Sequence, residues 1–238
     1  MVFDFYGTLV DEEDGELRRD REIFRRFGYE LSEPLRRHWI DPVTCLDHVP
    51  FSSDRDSYAG WQSELWRQGL REHGIADQDL ETLVEHAVTR SRTRRFSAFP
   101  DAVETLQALR SAGTRTAVCS NWGWDLGDAV GSCGLAELVE VVVGSATSGY
   151  RKPHNRIFEI VLERLGLGPA EVLFVGDTWS ADVEGALSAG LWAAEVVRQG
   201  ENGEERRLPD RVIRVSRLTE LLPLLRSPAR PEDGSRTR

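Results

Sequence analysis

Val2-Phe3-Asp4-Phe5-Tyr6-Gly7-Thr8-Leu9 is an apolar run interrupted by a carboxylate and then by a glycine–threonine turn. Three further stretches share parts of this grammar: Val118-Cys119-Ser120-Asn121, Arg151-Lys152-Pro153, and Val175-Gly176-Asp177-Thr178 with Asp182 following. Each polar cluster except the third stands directly behind a short apolar run of the kind that forms a buried parallel strand. Ligands bind at the carboxyl ends of the strands in an open α/β sheet. Asp4, Ser120 and Asp177 are therefore expected to meet in one crevice, although more than a hundred residues separate the first from the second.

Working outward, the chain after Pro100 alternates regularly. Helices are predicted over 101–112, 125–133, 154–165 and 180–189. Strands are predicted over 116–119, 139–143, 172–175 and 192–197. A last strand over 212–215 and a helix over 217–226 close the pattern. Such alternation predicts an α/β fold, a doubly wound parallel sheet covered on both faces. Only three residues precede Asp4, so either the first strand is short or the natural start lies upstream.

Between the first and second strands the pattern is helical. Leu17, Ile23, Phe24 and Phe27 fall at helical spacing, as do Trp61, Leu65 and Trp66, and again Leu80, Leu83, Val84 and Val88. Residues 41–54, with Pro42 and Pro50, read as loop. The expected organisation is an α/β core over 1–12 and 98–226, an inserted all-helical unit over 13–97, and a disordered tail over 227–238. The arginine pairs at 18–19, 25–26 and 36–37 read as solvated helix faces.

Forty acidic against thirty basic residues give a net charge of −10, which argues against nucleic acid or anionic membrane as a partner. No apolar run approaches the ~20 residues that span a bilayer, and no signal pattern opens the chain. Cys45, Cys119 and Cys133 lack metal-like spacing and predict reduced thiols in a cytoplasmic protein. Lys152 is the one lysine among thirty basic residues. A compact ammonium and a planar guanidinium are not interchangeable in a tight anion pocket, so its position inside a motif points to function.

The order and spacing of the four motifs resemble the haloacid dehalogenase superfamily, over residues 1 to about 226, with the helical insertion resembling that family's cap. The resemblance implies Asp4 as nucleophile, forming an aspartyl-phosphate that divides one hard displacement into two easier ones. It also implies magnesium held by Asp4, the main-chain oxygen of Tyr6, and Asp177, a sparse oxygen set that suits this ion. Ser120, Asn121, Thr8 and Lys152 are the implied phosphate-binding groups. Ser120 and Lys152 also count among the catalytic set with Asp4 and Tyr6. Asp182 holds a metal-bound water, orients Lys152, or is an ordinary helix-start acid.

Tyr6 departs from the pattern of the family's phosphatases, which carry aspartate there as acid–base. A phenol with a pKa near 10 is a poor base at neutral pH. Asp-x-Tyr-Gly-Thr instead resembles the dehalogenases themselves, where halide leaves without a proton. Those enzymes use no metal and lack the acid that Asp177 represents. The expected function is a magnesium-dependent hydrolase, a phosphatase of a small phosphorylated metabolite. The alternatives are a metal-independent 2-haloacid dehalogenase and a catalytically weak binding protein. Trp122, Trp124 and Trp179 either contact an apolar leaving group or pack at helix starts, and His154 reads as a helix-start residue.

Overall fold

The computed structural model describes residues 1–13, 15–198 and 207–226, so the predicted tail over 227–238 lies outside the described residues. Six strands form one parallel sheet. They are β1 (Val2–Phe3), β4 (Ala117–Ser120), β5 (Val141–Gly144), β6 (Leu173–Gly176), β7 (Trp192–Val196) and β8 (Val212–Val215), in the spatial order β5-β4-β1-β6-β7-β8. β1 sits centrally, pairing Val2 with Ala117 on one side and Phe174 on the other. The strand order reverses there, so its carboxyl end opens on the crevice where an α/β sheet takes ligands.

Side chains that alternate along a strand point to opposite faces, and the packing follows that rule. Phe3, Val118, Val175 and Ala194 join one core with α5 (Pro100–Ser111) and α6 (Leu126–Ser132). Val2, Ala117, Cys119, Phe174 and Ala193 join another with α8 (Asn155–Leu165). Both faces are covered, as an all-parallel sheet requires. Cys119 is a core residue.

A short antiparallel pair, β2 (Val10–Glu12) with β3 (Phe96–Ala98), carries the chain into and out of the helical cap. The cap holds α1 (Glu16–Arg26), α2 (Glu33–Ile40), α3 (Arg55–Glu72) and α4 (Asp77–Thr93). Phe24, Leu35, Trp39, Trp66, Leu70, Leu80 and Leu83 give it a core of its own. Neither α2 nor the β2–β3 pair is predicted from the sequence, although Ser32 caps α2 and Pro34 stands in its first turn. The arginine pairs lie on exposed cap faces, Arg36 partly covered.

Two regular predictions change character. The segment expected as one helix over 180–189 is a π-helical turn, Trp179–Glu184, followed by α9, Gly185–Ser188. The last helix is of the tighter 3-10 type, Leu218–Arg226, and contains Pro223. Residues 41–54 form a loop with one 3-10 turn, Val49–Phe51, which straps the cap to the core. In the strap, His48 N–H donates to Gly149 O at 2.8 Å, and Arg151 N–H donates to Leu46 O at 2.9 Å.

Candidate active site

Asp4 follows β1 directly, its N–H still bonded to Val175 O at 2.8 Å. Gly7 makes the turn that follows possible. Its φ is +81°, and a Cβ there would lie 2.5 Å from Asp177 Oδ2. Arg198, beyond β7, holds the same turn by donating to Thr8 O at 2.5 Å and pairs with Asp101 at 3.1 Å. The Thr8 hydroxyl, fully buried, donates to Asp177 Oδ1 at 3.3 Å. It therefore steadies Asp177 and does not line the cavity where a phosphoryl oxygen would sit.

Lys152 is 3% exposed and stands between two carboxylates. Its ammonium donates to Asp4 Oδ1 at 2.7 Å and to Asp182 Oδ1 at 2.6 Å. Burial alone would lower its pKa, but Asp182 and Asp4 outweigh that and hold it above the ordinary lysine value. Asp182 also accepts from Thr178 N–H through Oδ2 at 2.9 Å. Of its three expected roles, the bond to Lys152 fits orienting the lysine, and the bond from Thr178 N–H fits a helix-start acid. The glycine at 176 leaves room for this carboxyl, since a Cβ there would collide with the Asp182 side chain.

Asp4, Asp177 and Asp182 each offer an oxygen within 4.8 Å of the others, a group that could hold a divalent cation. Burial first, then the charges of Asp4 and Asp182, push the Asp177 carboxyl up to about 8. Asp182 is pushed up to about 6 by burial, with Lys152 opposing and Asp4 adding to the rise. Three carboxyl groups thus share one ammonium, and the excess negative charge is the local electrostatic problem.

Ser120 ends β4, and its hydroxyl makes no hydrogen bond among the described residues. The Asn121 side chain is already committed. It donates to Lys152 O at 3.0 Å and accepts from Lys152 N–H at 2.7 Å, so it positions the lysine and leaves only its backbone for a substrate. Tyr6 is half-buried, and burial together with Glu12 and Asp11 raises its phenol pKa above the ordinary value. It holds its proton at neutral pH.

Asp4, Tyr6, Ser120, Asn121, Lys152, Asp177 and Asp182 line one cavity of about 500 Å³ between cap and core. Trp122 and Trp124 line it too, whereas Trp179 does not and donates its indole N–H to Glu184 at 2.8 Å. His154 caps α8, accepting from Arg156 N–H at 3.1 Å. The sequence reading missed Asp41 and Arg94, which reach the cavity from the cap and its return linker. Neither stands in a motif or behind a strand, so no spacing marked them.

Residues 1–190 match the haloacid dehalogenase-like hydrolase family. An (S)-2-haloacid dehalogenase 4A of Burkholderia cepacia is 31% identical over 94% of this chain and 93% of its own length. A phosphoserine phosphatase of Thermus thermophilus is 32% identical over 85% of this chain and 81% of its own. The solved L-2-haloacid dehalogenase of Xanthobacter autotrophicus superposes with a TM-score of 0.65, at 26% identity over 96% of this chain and 98% of that one. The dehalogenase likeness is at least as strong as the phosphatase likeness. With the carboxylate–lysine centre at the end of β1 and the helical cap above it, the chain belongs to the haloacid dehalogenase-like hydrolase family, enzymes that act on small molecules.

Proposed function

We propose that this hydrolase cleaves a small phosphorylated metabolite with magnesium, through a covalent aspartyl-phosphate on Asp4. The observation that carries the reading is the cluster of Asp4, Asp177 and Asp182 with Lys152 as its single ammonium. Two of these acids with the Tyr6 main-chain oxygen would make a hard, oxygen-only donor set suited to magnesium, which keeps waters and phosphate oxygens for its remaining positions. Asp4, Tyr6 and Asp177 would hold the ion, and when bound it would supply the counter-charge that lets a carboxylate approach a phosphate dianion.

The chain's own groups do the rest. Lys152 binds Asp4 Oδ1 and leaves Oδ2 to form the new bond to phosphorus as the ester oxygen departs with the bonding pair. The Ser120 hydroxyl and the backbone at 121 suit the phosphoryl oxygens. Water then attacks phosphorus, releasing phosphate and restoring the carboxylate. Because the Tyr6 phenol stays protonated and is a weak acid, leaving groups that need no proton are favoured.

A second reading has specific support. The whole-chain likeness to (S)-2-haloacid dehalogenases and the tyrosine two residues beyond Asp4 favour attack of Asp4 on C2 of a 2-haloacid, and the comparisons back this better than the first reading. Halide would leave as an anion, and water would hydrolyse the ester. Asp177 is an acid that the dehalogenase pattern lacks, although with its carboxyl pushed up to about 8 it is largely protonated at neutral pH without a metal and repels a substrate carboxylate little.

One assay separates the two. Phosphate release from a panel of phosphate monoesters and halide release from 2-haloacids are measured with and without magnesium. Magnesium-dependent phosphate release, lost in Asp4→Asn, supports the first reading. Metal-independent halide release replaces it with the second.

A further inference from the structure

We propose that Arg94 is the specificity-determining cation of this cavity and binds a substrate carboxylate distinct from the group that leaves. The inference builds on the proposed role of Asp4 as the reacting group.

Four arginines line the cavity. Arg151 is committed to Asp41 at 2.6 Å. Arg55 is exposed and stands 3.8 Å from Asp128, and Arg92 is exposed. Arg94 differs from all three. Its side chain is 8% exposed, and its ionic partner among the described residues is Glu12, reached through Nε at 3.4 Å. Glu12 also serves Arg90 Nη2 at 3.1 Å, while Arg90 has a second carboxylate in Asp20 at 2.5 Å, so Arg94 shares its one ionic partner with a better-paired neighbour. The terminal nitrogens of Arg94 make no hydrogen bond among the described residues. Asp125 lines the same cavity but forms no ion pair with Arg94 there.

Aromatic rings fix the guanidinium. It lies 4.7 Å from the centroid of Phe96, 5.4 Å from Trp122 and 5.9 Å from Tyr6. Ring faces attract a cation but accept little from its in-plane N–H groups. A buried planar fork with unused donors is the geometry that receives a carboxylate bidentately. Burial and neighbouring Arg90 both disfavour its charge, which an arriving anion would relieve.

The charge layout of the cavity says which end of a substrate goes where. The scissile group belongs with Lys152, the one ammonium of the acidic cluster. A second anion is repelled from that cluster and finds its counter-charge at Arg94, beside the ring of Tyr6, which itself stands two residues along the chain from the nucleophile. The substrate class is a small carboxylic acid carrying the scissile group, whether phosphoryl or halogen.

The test measures binding, so it does not depend on turnover. In an Asp4→Asn background, calorimetry compares two acid–amide pairs: O-phosphorylated 3-hydroxypropionate with its carboxamide, and 2-chloropropionate with 2-chloropropionamide. In at least one pair the acid should bind about ten- to a hundredfold more tightly, the range of a charge-assisted hydrogen bond. Adding Arg94→Met should bring acid and amide to parity by weakening the acid alone. Arg94→Lys, which keeps a cation beside Glu12, should recover part of the preference and guards against a folding defect. Equal binding of acid and amide in both pairs, no binding of either acid, or a preference that survives Arg94→Met would each overturn the assignment. If the native enzyme releases neither phosphate nor halide, the proposed reaction fails while this comparison still reads out.

Discussion

Lys152 is gripped from two sides, 2.7 Å from Asp4 and 2.6 Å from Asp182, in a pocket that leaves it 3% exposed. A guanidinium keeps the charge but not the fit. Lys152→Arg should lower turnover by about 10²-fold, as a misplacement near 1 Å can do, and full activity in that variant would reduce the lone lysine to coincidence. Tyr6 makes the opposite test. With the phenol protonated, alkyl phosphates lack an acid for their leaving oxygen. Tyr6→Asp should raise their turnover selectively, by up to the ~10²–10⁴ that a positioned acid contributes, with little gain for acyl or aryl phosphates. The new carboxylate would join a site already short of positive charge, with Arg94 the nearby cation to hold it. Loss of alkyl phosphate turnover in Tyr6→Asp would show the phenol to be a working group.

The strap over 41–54 carries a titratable group that the site does not use. His48 is fully buried, its ring stacked 5.4 Å from Trp61 and its Nε2 3.1 Å from Ser145 O. Nδ1 has no partner among the described residues. Protonation would strand a charged N–H there, and burial accordingly holds the imidazole below its ordinary pKa. The unfolded chain takes the proton near pH 6.5 and the folded one only at lower pH. The contribution of His48 is therefore complete above about 6.5 and is lost as pH falls below it. Urea denaturation of wild type and His48→Gln should show a wild-type advantage at pH 7.5. That advantage should shrink toward pH 5 by up to about 1.4 kcal/mol per pH unit, and an unchanged difference would mean that the ring is not buried neutral. At this scale the sequence was readable where periodicity ran long, as in α4, α5 and α8. It was silent for β2 and β3, three residues each and more than eighty apart, because such strands exist only through each other.

In the whole molecule, the crowded acids set stability against the metal binding proposed for them. Asp177→Asn removes a carboxyl whose ionisation burial, Asp4 and Asp182 oppose, so the metal-free protein should melt at a higher temperature than wild type. The gain should be largest above pH 8. There the wild-type carboxyl is ionised in both states, and the stability that its raised pKa adds at lower pH has been lost. The same variant should lose the rise in Tm that saturating magnesium gives wild type, a rise that follows from binding the folded state alone and amounts to about 2.7 kcal/mol at a hundredfold excess over Kd. Thermal scans with and without magnesium decide it; an equal metal-induced rise in both proteins would remove Asp177 from the ion's ligands. Cap and core share this cavity, and the buried Glu12–Arg90–Asp20 chain, with Trp39 donating to Asp20 at 3.0 Å, ties the cap to its return strands.

The amino-acid sequence alone determined the doubly wound sheet and the helical cap, because burying both faces of a parallel sheet imposes short apolar runs and a covering helix imposes its own period. It also pointed to Asp4 and Asp177, which stand just behind apolar strands, and to Lys152 and Asp182 through the lone lysine and the resemblance of the motifs to a known family. Tertiary structure decided what those residues do to one another: that Thr8 and Asn121 spend their side chains on Asp177 and on the Lys152 main chain, and that Asp182 shares the lysine with Asp4. It alone revealed Arg94, which stands in an ordinary linker among arginines. What sets Arg94 apart is three aromatic rings and a shared carboxylate brought from distant positions, and a contact of that kind leaves no period or spacing in the chain.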